Sequence, residues 1–122
     1  MHKMGDLASK KCVPCEGGTP PMARGDAVKL LSEVSGWELI DEGVLKIRRK
    51  FKFKNFKAAL LFVNKIGEIA EEEGHHPDIE FGWGRANITL YTHAVSGLSE
   101  NDFILAAKIN KLQQEHERSE AK

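Results

Sequence analysis

Three histidines carry the clearest chemical signal in this chain. His75 and His76 are adjacent and are followed by Pro77, and His93 lies further on, past two short segments that alternate apolar and polar residues. Imidazole changes charge near neutral pH, with a reference pKa of about 6.5, so one such group can give a proton while another takes one. Pro77 pushes His76 toward extended backbone and fixes the local path. The segments 78–83 and 86–92 read as a hairpin. The two ends of a hairpin meet in space, which returns His93 to the His75–His76 corner. Three imidazoles at one corner suit acid–base work on two atoms of one substrate. Alone, a His-His pair before Pro is more often a turn feature, and convergence of the third histidine is what turns the corner into a site.

Two other groups compete for attention. The same histidines with a Glu could hold zinc, but adjacent residues in extended backbone point to opposite sides. Cys12-Val13-Pro14-Cys15 has the spacing of a zinc knuckle or a redox pair. With no second pair, the balance lies with two reduced surface thiols, and a metal on Cys12 and Cys15 is the weaker reading. Lys46, Arg48, Lys50, Lys52 and Lys54 form a cationic stripe that could attract phosphate or acidic partners. Such a stripe is more often the solvated face of a strand.

The elements that must position these groups follow from periodicity. Residues 1–22 hold Gly5, Gly17, Gly18, Pro14, Pro20 and Pro21 and few large apolar side chains, so they read as a flexible N-terminal arm carrying the Cys-x-x-Cys pair, ahead of one domain over 23–122. Ala27, Leu30, Leu31 and Val34 give one helical face, ended by Gly36. Residues 37–40 and 44–53 give a hairpin with Leu45, Ile47, Phe51 and Phe53 on its inner side. Arg49 breaks that inner pattern. Asn55 caps a helix whose stripe is Phe56, Ala59, Leu60, Val63, Ile66 and Ala70, and Gly74 stops it. Gly84-Arg85 marks the turn of the second hairpin. Ser99 with Asp102 three residues on opens the last helix as a short capping box. Along that helix Phe103, Ala106, Ala107 and Asn110 run down one side. Past Glu115 the chain is charged and is expected to fray. The resulting order, α-β-β-α-β-β-α, predicts an α+β fold: a four-stranded antiparallel sheet with three helices on one face.

Composition narrows the class. The chain has 122 residues, 41% hydrophobic and 30% charged, with 18 basic and 18 acidic side chains. That is one globular domain without the basic excess of a nucleic-acid binder. No run approaches the ~20 apolar residues of a membrane span, and no apolar stretch accompanies the N-terminal lysines as in a secretory signal, so the cytoplasm is the expected compartment.

At the level of motif, Glu71-Glu72-Glu73-Gly74-His75-His76-Pro77, then Asn87-Ile88-Thr89-Leu90-Tyr91-Thr92-His93, then Gly97-Leu98-Ser99-Glu100-Asn101-Asp102 resembles the pterin-4a-carbinolamine dehydratases. The resemblance runs from Arg24 to Leu112 in element order and is sharpest from Glu71 to Asp102. It implies dehydration of a 4a-hydroxytetrahydropterin to a quinonoid dihydropterin, with His75, His76 and His93 as the catalytic histidines. It places Glu71, Pro77 and Thr92 around them, and Asp102 where it would orient a neighbour. Ile79 stands where many members carry Trp, and Trp83, where many carry Tyr, is expected to support the pocket. The pterin is the substrate, so no cofactor is implied. A homodimer or homotetramer is implied, with no nucleic-acid or membrane partner, in the pathway of an aromatic amino acid hydroxylase. Animal members also stabilise the dimer of a homeodomain transcription factor, so a non-enzymatic protein-binding module is the alternative.

Overall fold

A computed structural model describes residues 4–12 and 20–120. Its elements are α1 (Met4–Ser9), α2 (Arg24–Leu31), β1 (Glu38–Asp41), β2 (Leu45–Lys52), α3 (Phe56–Glu73), β3 (Asp78–Gly82), β4 (Arg85–Leu90) and α4 (Glu100–Glu120). The four strands form one antiparallel sheet in the order β1-β2-β4-β3, with β2 and β4 at its centre. This is the α+β arrangement that the two alternating pairs predict.

Period-two alternation decides which side of the sheet meets the helices. Ile47 and Phe51 of β2 and Ala86, Ile88 and Leu90 of β4 are buried, and they pack with Phe62 and Ile66 of α3 and Phe103, Leu105 and Ile109 of α4. Phe62 is the centre of an aromatic group, with ring centroids 4.9 Å from Phe51 and 5.0 Å from Phe53. Fully burying one such side chain is worth about 1.5–3 kcal/mol.

The face of α3 differs from the expected stripe. Ala59, Ile66 and Ala70 are buried as expected, but Phe62 and Ala58 join them, while Phe56 and Leu60 are 44% and 37% exposed. The sheet selects the largest side chain that reaches the β2–β4 centre, and that is Phe62. Phe56 lies at the flank instead and stacks on Phe81 of β3 at 5.5 Å. The caps agree with the sequence: Asn55 Oδ1 accepts from the Ala58 amide at 2.8 Å, and Gly74 stops the helix at φ 65°.

Arg49 finds its partners at the inner face. Its Nη1 donates to Asn110 Oδ1 (2.6 Å) and to the Ser35 carbonyl (3.1 Å), and its guanidinium lies over the Phe51 ring. Trp37 Nε1 donates to the same Asn110 oxygen at 2.8 Å. Gly36 is required here, because a Cβ would fall 2.6 Å from Arg49 Nε and φ is +87°.

Three further expectations change. The β3–β4 turn is Trp83-Gly84, one residue earlier than Gly84-Arg85, because Gly82 pairs with Arg85 and the positive φ falls on Gly84. The helix α4 runs on to Glu120 rather than ending near Glu115. The N-terminal segment is not extended over residues 4–9: it forms α1, which docks on α4. Leu7 is buried, and Lys108 Nζ donates to the Ala8 carbonyl at the end of α1 (2.7 Å). One apolar anchor and a capped helix end suffice because α4 offers an apolar outer side, with Ile104 and Ala107 also buried.

Candidate active site

The site is built where α3 stops and β3 begins. Gly74 turns the chain out of α3 in the left-handed conformation, and the His75 amide still donates to the Ala70 carbonyl at 3.2 Å. His75, His76 and Pro77 therefore leave the helix on a fixed path. From the other side, β4 ends at Leu90, and His93 lies beyond it in a short 3₁₀ turn, His93–Val95, rather than at the strand end. That turn is pinched shut by the Thr92 amide donating to the Gly97 carbonyl (2.7 Å). The Met22 amide in turn donates to the Leu98 carbonyl (2.8 Å), which ties the end of the arm to this loop.

The structure brings His75, His76 and His93 to one cleft of about 420 Å³, lined also by Pro77, Asp78, Tyr91, Thr92 and Asn101. That volume lies within the ~300–1,000 Å³ usual for small-molecule sites. The three imidazoles have different surroundings. His75 has a side chain only 11% exposed, and its Nε2 lies 2.6 Å from Asp102 Oδ1. Asp102 is fully buried. Its other oxygen accepts from the Thr92 hydroxyl (2.8 Å) and from the Ser99 amide (3.0 Å). Thr92 Oγ1, whose hydrogen is engaged by Asp102, accepts from the Ser99 hydroxyl at 2.8 Å. An ionised Asp102 can accept all three bonds, and His75 Nε2–H is then the donor of the third. In the neutral form of a ring that donates through Nε2, the second nitrogen, Nδ1, keeps its lone pair.

His76 sits at the open rim, where its Nε2 lies 2.7 Å from Glu71 Oε2. Both side chains are largely exposed. His93 is exposed, with its ring against Tyr91 at a centroid distance of 4.4 Å.

The expected site residues thus divide. Glu71, Pro77, Thr92 and Asp102 stand with the histidines. Trp83 does not. It is 70% exposed at the β3–β4 turn, while the histidines gather at the opposite end of that hairpin, about 16 Å away at 3.3 Å per strand residue. A two-residue turn leaves its side chain no inner wall to pack on. The glutamate run at the end of α3 also divides. Glu71 serves His76, whereas Glu73 turns inward, accepting from the Cys12 amide (2.8 Å) with Lys108 Nζ at 3.8 Å. The Cys12 side chain is half-buried, its Sγ 3.7 Å from the Asn101 carbonyl oxygen. Cys15 lies outside the described residues. Among the described residues, no three His, Cys, Asp or Glu side chains gather as a metal site.

Sequence reasoning missed Tyr91, which forms part of the cleft wall, although the alternation that groups Thr89, Tyr91 and His93 on one face was available to find it. It also gave Ser99 only a capping role, whereas the Ser99 hydroxyl completes the Thr92–Asp102 chain.

Known proteins resemble this chain over most of its length. A family model described as pterin 4 alpha carbinolamine dehydratase matches residues 20–112. A provisionally named pterin-4-alpha-carbinolamine dehydratase of Rubrobacter xylanophilus is 54% identical over 109 residues, covering 89% of this chain and 100% of the relative. Among solved structures, a transcriptional coactivator/pterin dehydratase from Brucella melitensis superposes with a TM-score of 0.71 at 33% identity, covering 75% of this chain and 97% of that one. A pterin dehydratase-like protein described as a RuBisCO assembly factor in the alpha-carboxysome gives 0.55 at 26% identity, covering 63% and 88%.

Proposed function

This chain belongs to the pterin-4a-carbinolamine dehydratase family, and on that premise we propose that it dehydrates a 4a-hydroxytetrahydropterin to a quinonoid dihydropterin and water. The observation that carries the reading is the buried Asp102 holding His75 by Nε2 in a cleft that His76 and His93 also line.

The reaction breaks the C4a–OH bond, removes the proton from N5 and forms a C4a=N5 double bond. Hydroxide is a poor leaving group and must be protonated as it departs, while N5 must release its proton to push. With Nε2–H donating to Asp102, neutral His75 offers Nδ1 as the base for the N5 proton. His93, exposed in the 3₁₀ turn that lines the cleft, gives the proton that turns the departing hydroxide into water. His76 hydrogen-bonds the pterin near C4a, with Glu71 beside it at the rim. Each positioned acid or base contributes about 10²–10⁴-fold. Atoms balance without any added group: the pterin is the substrate, and the reading calls on no cofactor.

The setting that fits this reaction is recycling of the pterin cofactor of an aromatic amino acid hydroxylase in the cytoplasm, by a homodimer or homotetramer. No helix among the described residues is long and apolar enough to cross a membrane. A second reading, a protein-binding module without catalysis, is favoured by one observation: Leu60 and Leu61 of α3 are 37% and 50% exposed side by side.

The discriminating experiment follows the absorbance of quinonoid dihydropterin formed from 4a-hydroxytetrahydropterin, with wild type beside His93→Ala. Acceleration lost in the variant supports the acid role. A His93→Ala protein of full rate removes His93 from the mechanism, and a folded wild type without acceleration leaves the binding module as the better reading.

A further inference from the structure

The cationic stripe plays no part in the dehydration chemistry, yet it begins at the edge of the histidine cleft. Lys46 and Arg48 project from β2 on the side of the sheet away from the helices, the same side as Thr89 of β4, and Arg48 Nε donates to Thr89 Oγ1 at 2.9 Å. Lys46 Nζ lies 4.5 Å over the ring of Tyr91, and that same ring contacts His93. One tyrosine thus links a catalytic imidazole to a cation. A second hollow of about 400 Å³ runs along this face past Arg48 and Lys50, and Asp78 lines both it and the histidine cleft, so the two are neighbours.

Glu42 shows what the two cations beside these hollows can hold. From the exposed β1–β2 turn it places Oε1 3.3 Å from Lys46 Nζ and Oε2 3.2 Å from Arg48 Nη2. The hydrogen bond from Lys46, then that from Arg48, hold its carboxyl below the ordinary carboxylate value. Lys46 and Arg48 side chains are only 19% and 29% exposed, whereas Glu42 is 45% exposed. The cations are set into the sheet, and the anion between them stands on a turn with room to leave. Asp78 and Glu80 line the far side of the hollow, Glu80 accepting from Asn87 Nδ2 at 3.2 Å, so an incoming anion is confined to the β2 side.

We propose that Lys46 and Arg48 form an anion subsite for the 6-substituent of the pterin, with the Glu42 carboxylate filling it when no substrate is bound. The preferred substrates then carry a phosphate or carboxylate on that side chain. Same-face residues on a strand are about 7 Å apart, and a three-carbon chain ending in phosphate spans one such step from the cleft. The inference rests on the dehydratase reading for the place of the pterin ring.

The test compares three 4a-hydroxytetrahydropterins, with a 6-methyl group, a side-chain phosphate monoester or a side-chain carboxylate, on wild type, Glu42→Gln, Lys46→Gln, Arg48→Gln and Lys52→Gln. The expected result is a KM at least tenfold lower for the phosphate ester than for the 6-methyl compound, a ratio that shrinks as salt is added. Lys46→Gln and Arg48→Gln bring the ratio toward one, Glu42→Gln enlarges it, and Lys52→Gln, beyond the hollow, leaves it in place. A carboxylate that gains as much identifies a general anion subsite, and one that gains nothing identifies a phosphate subsite. Equal KM values in wild type, or a preference that survives both cation variants, overturns the proposal. Equilibrium binding of the unreactive tetrahydropterins with and without phosphate reads the subsite independently of turnover, so loss of the dehydratase reading and loss of the subsite are separate results.

Discussion

The inner and outer sides of the histidine cleft solve the same problem in opposite ways. On the inner side His75 is nearly enclosed, and every acceptor site that Asp102 uses is met by a named donor on a different element: His75 after α3, Thr92 after β4 and Ser99 before α4. On the rim, His76 and Glu71 pair across open solvent. A buried carboxyl group is tolerated only when its hydrogen bonds are complete, so the inner side is rigid and holds the His75 ring in one orientation. An exposed pair of this kind contributes at most about 1 kcal/mol and fixes little. The contrast teaches that the two adjacent histidines, alike in sequence, are unlike in role: one is set before substrate arrives, and the other is free to adapt to it.

Replacing Asp102 should break this contrast most severely. Asp102→Ala strands three buried or half-buried donors, and we expect a loss of about 3 kcal/mol or more in urea denaturation. Asp102→Asn keeps the shape but can no longer accept at every position, and dehydration should fall by about 10²–10⁴-fold. Thr92→Val comes next. It removes one donor to Asp102 and the acceptor for Ser99, and should cost about 1–2 kcal/mol with a smaller loss of rate. Gly74→Ala tests the path rather than the network. Nothing lies within 4 Å of an added Cβ, so the cost is that of φ +65° alone, about 1 kcal/mol in the same denaturation experiment. Glu71→Gln should move stability least, within about 0.5 kcal/mol, and its effect on rate should be smaller than that of Asp102→Asn. If Glu71→Gln costs as much rate as Asp102→Asn, the rim is as organised as the interior and the contrast fails.

Much of the inner side was legible in the sequence. The alternating pairs gave the sheet, Gly74 and Asn55 gave the ends of α3, and Ser99 with Asp102 gave a helix start whose Asp side chain does accept from the Ser99 amide. These are local signals, set by backbone geometry within a few residues. The remainder depended on partners distant in sequence. Phe62 took the core position in place of Leu60 because the sheet chose it. Arg49 has an inner place because Asn110 and Ser35 meet it, and neither is local to it. Residues 4–9 carry no periodic signal, and their helix forms against α4 through Leu7 and Lys108. Trp83 was assigned to the pocket by family pattern, which is silent on the direction of a two-residue turn. The Asp102–Thr92 bond joins two family residues, but only the fold shows that both serve His75.

The central claim is that His75, held through Nε2 by Asp102, takes the N5 proton of a 4a-hydroxytetrahydropterin. The most direct measurement is the rate of quinonoid dihydropterin formation by wild type and by His75→Gln, each against buffer alone, with folding checked by circular dichroism. The account predicts strong acceleration by wild type and a loss of at least 100-fold in folded His75→Gln. A folded His75→Gln protein that keeps the wild-type rate contradicts it.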